Sequence, residues 1–210
     1  MKTILCYGDS NTWGRDPITK ERFAPNERWG GILREIMGSG FFVIEEGLIG
    51  RTTIWDDPVG HRNGEKYLYP CLESHRPIDL VIIMLGLNEL KKQFCLTAYD
   101  ISAGMEKLLK IIIGSGAGPK GGSPKILLLS PPHVGKTTGD YIAMFEDAQE
   151  KSTKLAAYYQ KLAQKFGCRF LDPMTLVSAA DLADGIHFDP SQHHILAQSV
   201  AKIAREMLEK

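Results

Sequence analysis

Short apolar runs alternate with longer amphipathic stretches along the whole chain, and this alternation restricts the folds available to it. The apolar runs are rich in Ile, Leu and Val and predict strands at residues 3–7, 42–46, 80–85, 125–129 and 169–171. The stretches between them predict helices at residues 27–37, 98–113, 141–166 (as one helix or two) and 191–208, the last capped by Ser191. Strands alternating with helices favour a parallel sheet covered by helices.

The first, third and fourth predicted strands are apolar at every position of their central runs. These runs are Ile4-Leu5-Cys6-Tyr7, residues 80–85 and Ile126-Leu127-Leu128-Leu129. Strands in the middle of a parallel sheet are buried on both faces, so we expect these three to be central. A chain of 210 residues without an internal repeat or a change of composition is predicted to form one domain, residues 1–210, that buries roughly 70% of its unfolded surface.

The charge balance argues against nucleic acid and membrane partners. The 25 Lys and Arg residues equal the 25 Asp and Glu residues in number, and no basic stripe occurs. The N-terminal apolar run is four residues long, too short for a signal peptide or a membrane span, and indicates a cytoplasmic protein. The cysteines, at positions 6, 71, 95 and 168, form no Cys-x-x-Cys pair and are interpreted as reduced, mostly buried thiols.

Two glycine-containing segments imitate nucleotide-binding motifs. Residues 130–137 end in Gly-Lys-Thr like a P-loop, but Ser130 replaces the first glycine, and Pro131 and Pro132 lack the N–H donors that a phosphate needs. The segment 114–123 follows a predicted helix instead of a strand, which is typical of a surface loop.

Three histidines near the C-terminus raise the question of a metal site. His193 and His194 fall in the last predicted helix, on a face we expect to be partly exposed, and His187 precedes it. No Asp, Glu or Cys residues accompany them at the spacing of metal ligands, so the sequence indicates neither a metal nor another cofactor.

Two short segments carry groups that suit nucleophilic catalysis. Ser10 follows the first strand directly, at the carboxyl end where open α/β sheets place their chemistry, although Asp9-Ser10-Asn11 is also ordinary turn and cap chemistry. Asp184 precedes His187 by three residues, a spacing that lets a carboxylate orient one ring nitrogen while the other points outward. Either segment alone is a weak signal.

Two further segments could supply donors for an oxyanion. Asn88 follows the third strand and offers a side-chain amide, and the 47–53 loop after the second strand offers a backbone N–H at a glycine. The four features together are far more specific than any one of them.

The combination resembles the SGNH hydrolases, also called GDSL esterases and lipases, which are named for Ser, Gly, Asn and His. The resemblance covers essentially the whole chain and is closest to the mycobacterial aryl esterase/acyltransferase subgroup. The segments that carry it are 4–6, 8–10, 12–14, 21–25, 43–48, 51–53, 79–86, 88, 130–132 and 184–188.

This resemblance implies a flavodoxin-like three-layer αβα sandwich with a five-stranded parallel sheet. It assigns Ser10 as nucleophile, His187 as general base and Asp184 as the orienting carboxylate. It also assigns the oxyanion hole to the N–H groups of Ser10 and Gly50 and the amide of Asn88. No G-x-S-x-G nucleophile elbow, typical of α/β-hydrolases, occurs in the chain.

The chain departs from the family beside the nucleophile. Asn11 stands where the family has leucine, and Arg15 stands where the related acyltransferase has an aromatic residue. Both changes favour shorter or more polar acyl groups. The residues expected at the substrate pocket are Asp9, Asn11, Trp13, Ile49, Lys91, Phe145, Ile186 and Phe188.

The function predicted from these features is a serine esterase that hydrolyses short-chain carboxylic esters through an acyl-Ser10 intermediate, from which an alcohol could also accept the acyl group. The alternative is a carbohydrate deacetylase, and a phosphodiesterase or nucleotide-binding role ranks third. A non-catalytic binding module would not need Ser10, Asn88, Asp184 and His187 together. The resemblance further implies that the chain forms a homo-oligomer. The substrate is expected to be a small ester.

Overall fold

The computed structural model describes residues 1–209, which form five strands and seven α-helices. The strands are β1 (Lys2–Gly8), β2 (Phe41–Gly47), β3 (Leu80–Met84), β4 (Lys125–Leu129) and β5 (Arg169–Leu171). The helices are α1 (Ser10–Trp13), α2 (Trp29–Met37), α3 (Gly64–His75), α4 (Ala98–Gly114), α5 (Tyr141–Met144), α6 (Ala148–Phe166) and α7 (Pro190–Leu208).

All five strands are parallel and lie in the order β2-β1-β3-β4-β5. In the centre, Leu5 of β1 is paired with Ile44 on one side and Val81 on the other. Every residue of β3 is buried, as are the last five of β1 and the last four of β4. The predicted mid-sheet position of these three strands is confirmed.

The two faces of the sheet form separate hydrophobic cores because successive side chains of a strand point to opposite faces. Leu5 and Tyr7 pack with apolar residues of α3, α4 and α6, whereas Ile4 and Cys6 pack with α2 and α7. The molecule is therefore the three-layer αβα sandwich that the resemblance implied.

Helix boundaries follow local capping. Asp189 caps α7 through a capping box with Gln192, so Ser191 is not the cap that the sequence pattern predicted. The predicted helix 141–166 is two helices, because Asp147 has the left-handed φ of 61° between α5 and α6. Residues 114–123 connect α4 to β4, as predicted.

Helix α3 was not predicted from the sequence. Pro70 lies inside it, and a proline normally ends a helix. Two signals could have revealed it: Asn63 accepts the N–H groups of the first turn, and the buried Leu68, Cys71 and Leu72 recur at helical spacing.

The cysteines and the helices bear on the cellular environment. Cys6 and Cys71 are buried, Cys168 is half-buried and Cys95 is exposed, and all four are free thiols. None of the helices among residues 1–209 has the length and apolar character needed to cross a bilayer.

The carboxyl ends of β1 and β2 meet α1 at very short range. A Cβ atom on Gly47 would lie 2.1 Å from the backbone nitrogen of Trp13, so only glycine permits this approach. This contact holds α1, and with it Ser10, against the edge of the sheet.

Candidate active site

Ser10 is the first residue of α1 and follows the loop at the end of β1. The carboxylate of Asp9 accepts the N–H of Asn11 at 3.0 Å, and Gly14 ends the turn with a φ of 88°. The cap chemistry that was the alternative interpretation is thus present. It also fixes the backbone that carries the Ser10 hydroxyl, which is 4% exposed.

Ser10, His187 and Asp184 form a continuous chain of hydrogen bonds. His187 Nε2 lies 2.9 Å from Ser10 Oγ, and His187 Nδ1 lies 2.7 Å from Asp184 Oδ2. Asp184 Oδ1 also accepts the N–H groups of Ile186 at 3.1 Å and His187 at 2.9 Å. Four contacts therefore fix the carboxylate and the imidazole relative to the hydroxyl.

The environment of Asp184 keeps it ionised. Burial alone would raise the pKa of this carboxyl, but the hydrogen bond and charge of His187 and the two backbone N–H groups together lower it below its usual value. A carboxylate held in this state stabilises an imidazolium on His187.

Asn11 ties the nucleophile turn to the histidine loop. Its amide nitrogen donates to the carbonyl of Ile186 at 3.1 Å, and its amide oxygen accepts the N–H of Phe188 at 3.0 Å. Asn11 is 1% exposed, and these two hydrogen bonds make it a buried tether between the two loops.

The three proposed oxyanion donors come from the loops after three adjacent strands. Asn88 lies after β3 and its amide nitrogen donates to the carbonyl of Arg51 at 3.1 Å, which fixes it to the loop that follows β2. Gly50 of that loop has a φ of 77°, and a Cβ there would lie 2.8 Å from Arg62 Nη1. No acceptor among residues 1–209 takes the N–H of Ser10 or that of Gly50.

Arg51 braces the loops after β1 and β2, a role not predicted from the sequence. Its guanidinium lies 4.2 Å from the centroid of the Tyr7 ring and donates to the carbonyl of Gly8 at 2.9 Å and to that of Glu46. The side chain is 3% exposed, so the brace is part of the interior.

Two carboxyls are buried beneath the site. Burial is the main cause that raises the pKa of Asp9 to about 7, and it also raises the pKa of Glu89, which accepts the N–H of Thr53. Asp9 is 1% exposed, so its carboxyl is enclosed by protein.

The remaining residues expected at the substrate pocket differ in exposure. Trp13 and Ile49 are half-buried, and the guanidinium of Arg22 lies 5.3 Å from the Trp13 ring. Lys91 is 5% exposed, with its ammonium 3.6 Å from Asp57. The three that belong to the hydrophobic cores are Phe145, Ile186 and Phe188.

Lys20 and Tyr141 lie beside the histidine, although no motif pointed to them. The Tyr141 ring lies 5.8 Å from the His187 ring, and the Lys20 ammonium lies 5.4 Å from the centroid of the Tyr141 ring. Burial raises the pKa of Tyr141, while the positive charge of Arg15 opposes the shift. Basic and aromatic side chains thus lie next to the Ser10–His187–Asp184 hydrogen-bond chain.

The prediction of a partly exposed face is wrong for His193. This side chain is fully buried between the rings of Phe23 and Phe188, and its Nδ1 accepts the N–H of Trp29 at 3.3 Å. Burial is the main cause that lowers its pKa to about 3. His194, one residue on, is exposed.

Comparison with known proteins identifies the family. Residues 6–195 match the GDSL-like Lipase/Acylhydrolase family. The chain belongs to this family. Among solved structures, the GDSL chain is similar to an aryl esterase from M. smegmatis, with 41% identity and a TM-score of 0.93 over 99% of this chain and 100% of that one.

Two more solved structures extend the comparison. A carbohydrate acetylesterase from Sinorhizobium meliloti is 35% identical to the GDSL chain, with a TM-score of 0.94 over 99% of this chain and 100% of that one. An acetyl-xylooligosaccharide esterase from Geobacillus shares the fold. It is 18% identical, with a TM-score of 0.68 over 99% of this chain and 94% of that one. No curated protein matches the chain. The family and its esterase members establish the chain as an ester-hydrolysing serine hydrolase.

Proposed function

We propose that this GDSL hydrolase cleaves short-chain carboxylic esters through an acyl intermediate on Ser10. The observation that carries the proposal is the Ser10–His187–Asp184 hydrogen-bond chain, with distances of 2.9 and 2.7 Å. A hydroxyl bonded to an imidazole, which is itself oriented by an ionised carboxylate, is the arrangement of an activated nucleophile.

In the first half of the reaction, Ser10 Oγ forms a bond to the ester carbonyl carbon while its proton moves to His187 Nε2. The carbonyl oxygen becomes an oxyanion that the N–H groups of Ser10 and Gly50 and the amide of Asn88 stabilise. His187 then gives its proton to the leaving alkoxide, the C–O bond breaks, and the acyl group remains on Ser10.

In the second half, a water molecule attacks the acyl carbon, His187 takes its proton, and the carboxylic acid leaves as the proton returns to Ser10. An alcohol that reaches the acyl-enzyme before water would receive the acyl group instead. The proposal therefore includes transesterification from the same intermediate, measured as new ester in the presence of a primary alcohol.

The experiment that tests the mechanism is hydrolysis of a short aryl acetate by the wild type and by Ser10→Ala, with intact mass spectrometry of both. We expect activity in the wild type alone, with one acetyl group added on Ser10 under rapid quench. Ester hydrolysis of wild-type rate by Ser10→Ala would overturn the assignment.

A carbohydrate acetylesterase is the second candidate, and two observations favour it. Two S. meliloti structures, of a carbohydrate acetylesterase and of a carbohydrate acetylesterase family member, match the chain at 35% and 36% identity. Arg15, Lys20 and Tyr141 also place polar groups next to His187, where sugar hydroxyls could bind.

The two candidates differ in how kcat/KM responds to the alcohol portion of the ester. We would compare an aryl acetate with an acetylated xylose under identical conditions, and repeat both with Tyr141→Phe. If the sugar substrate binds the Tyr141 hydroxyl, Tyr141→Phe should lower kcat/KM for the acetylated xylose and leave kcat/KM for the aryl acetate unchanged.

The proposal includes assembly as a homo-oligomer in the cytoplasm. Ile18 and Ile142 are exposed apolar side chains in the two segments that bring Lys20 and Tyr141 together, and a second copy covering them would enclose the site. The four free thiols suit a reducing compartment. Light scattering on the purified protein tests the assembly, and a single monomeric species would refute it.

A further inference from the structure

Three side chains outside the triad and the oxyanion loops converge at the exposed edge of the sheet. One ligand atom from each of Glu46, Cys71 and His75 lies within 4.8 Å of the other two. His75 Nε2 and Glu46 Oε1 are 3.0 Å apart. Carboxylate oxygen, thiol sulfur and imidazole nitrogen are the three ligand types that zinc accepts in proteins.

The fold brings these residues together by two simple means. Cys71 and His75 are four residues apart in α3, so they lie on the same face of this helix. Glu46 lies near the end of the edge strand β2, with α3 packed beside it. The sequence separation between positions 46 and 71 explains why no ligand spacing indicated a metal site.

We propose that Glu46, Cys71 and His75 bind a zinc-class divalent cation, with a water molecule in a fourth position. The cation would be held by Sγ of Cys71, Nε2 of His75 and one carboxylate oxygen of Glu46. Carboxylate and thiolate together neutralise its two positive charges, which a buried or half-buried site requires.

The surroundings supply a second layer and an entry path. The hydroxyl of Tyr67, four residues before Cys71 on the same helix face, donates to Glu46 Oε2 at 3.3 Å. Glu46 and Tyr67 line an open cavity of about 670 Å³. The side chains of His75 and Glu46 remain 29% and 21% exposed, so an ion in solution can reach them.

Metal binding is a ligand exchange without oxidation or reduction. Burial, followed by the charge of Glu46, raises the pKa of Cys71 to about 12, so the metal-free residue is a thiol. On binding, the Sγ–H bond breaks, an Sγ–metal bond forms and the proton goes to solvent. His75 binds through Nε2 as the neutral tautomer that carries its proton on Nδ1.

Cobalt(II) substitution tests the site directly, because a thiolate ligand gives cobalt a near-ultraviolet charge-transfer band and a tetrahedral site gives it strong visible bands. We would titrate the purified full-length protein with Co²⁺ and then displace it with Zn²⁺. The expected result is one Co²⁺ per chain with both band types, lost on addition of Zn²⁺. Absence of the thiolate band in the wild type overturns the proposal.

Variants at the ligands and at matched exposed positions identify the residues involved. Cys71→Ser should abolish the thiolate band, and His75→Gln should weaken Co²⁺ binding by at least roughly tenfold. Cys95→Ser and His194→Gln remove an exposed thiol and an exposed imidazole, and both should bind Co²⁺ as the wild type does. A band that follows Cys95 instead of Cys71 refutes the site.

The buried Cys71 makes its variant sensitive to misfolding, so the half-exposed His75 provides the second measurement. Zn²⁺ should raise the unfolding temperature of the wild type but not that of His75→Gln. Equal shifts in both proteins would contradict the proposal. The result is independent of the esterase mechanism, since no residue of the triad belongs to the cluster.

Discussion

The ammonium nitrogen of Lys20 lies 3.6 Å from Asp184 Oδ2, the same oxygen that receives the hydrogen bond of His187. Lys20 is 45% exposed, so the interaction is partly screened by water. Lys20 thus adds an ion pair to the hydrogen bonds that hold the Asp184 carboxylate against His187.

We expect Lys20→Met to lower kcat/KM for an aryl acetate by at most about fivefold. The substitution removes an ion pair to the carboxylate that orients His187, and a partly exposed pair contributes up to about 1 kcal/mol. Steady-state kinetics measures the effect. Lys154→Met, which removes the exposed pair with Glu150, is the control and should leave kcat/KM unchanged.

Asn88→Ala should lower kcat by about 100 to 1,000-fold while KM changes little. The amide is proposed to stabilise the oxyanion, which exists only after attack, and loss of one such donor typically has this effect. Steady-state kinetics on an aryl acetate gives both constants. A large rise in KM with unchanged kcat would place Asn88 in substrate binding instead.

Asn11→Ala should lower both the unfolding temperature and kcat. The substitution leaves the carbonyl of Ile186 and the N–H of Phe188 buried without partners, at a cost of about 1–3 kcal/mol for each group. It also frees the histidine loop from the nucleophile turn. Thermal unfolding and aryl acetate kinetics on the same preparation measure the two effects.

Asn63→Ala is the matched control for Asn11→Ala. Asn63 caps α3 through its amide oxygen and contacts no residue of the triad. The Asn63→Ala variant should have a free energy of unfolding lower by typically about 1 kcal/mol, with kcat unchanged. If both variants lose kcat in proportion to stability, the tether has no separate role in catalysis.

The buried His193 predicts a loss of stability in acid. Its pKa is about 3 in the folded protein and about 6.5 when unfolded, so between these values the unfolded chain binds a proton that the folded chain excludes. Stability from this group is therefore complete above about pH 6.5 and falls as the pH decreases. The difference reaches roughly 3 kcal/mol near pH 4.5.

Urea unfolding at about pH 7 and about pH 4.5 measures this dependence. His193→Asn keeps an acceptor for the N–H of Trp29 but cannot titrate, so it should lose less stability between the two pH values than the wild type. The exposed His194→Asn should behave like the wild type. An identical acid loss in His193→Asn would mean that other groups cause it.

The sheet could be predicted closely because hydrophobic periodicity reflects burial on both faces. β4 and β5 have the predicted bounds, and the three apolar strands occupy the centre. α3 escaped because its interior Pro70 and its few apolar positions hide the helical pattern. Local signals fail where tertiary packing, here against α4 and the sheet, stabilises a helix with a weak sequence pattern.

The candidate site divides in the same way. Ser10, Asp184 and His187 lie within short motifs, each a weak signal alone, and the family resemblance that these motifs carry together singles the three residues out. Lys20 and Tyr141 come close to His187 only through the path of two loops, which no local pattern encodes. The Glu46, Cys71 and His75 cluster likewise depends on how a strand edge meets a helix.

The hydrogen bond between Ser10 and His187 joins residues that are 177 positions apart. During synthesis, β1 and its serine leave the ribosome early, whereas the histidine loop emerges with α7, the last helix of the chain. A nascent or prematurely terminated polypeptide therefore carries a serine without its base. Under the proposed mechanism, ester cleavage begins only on chains that include the histidine loop, and truncation before His187 yields an inert product.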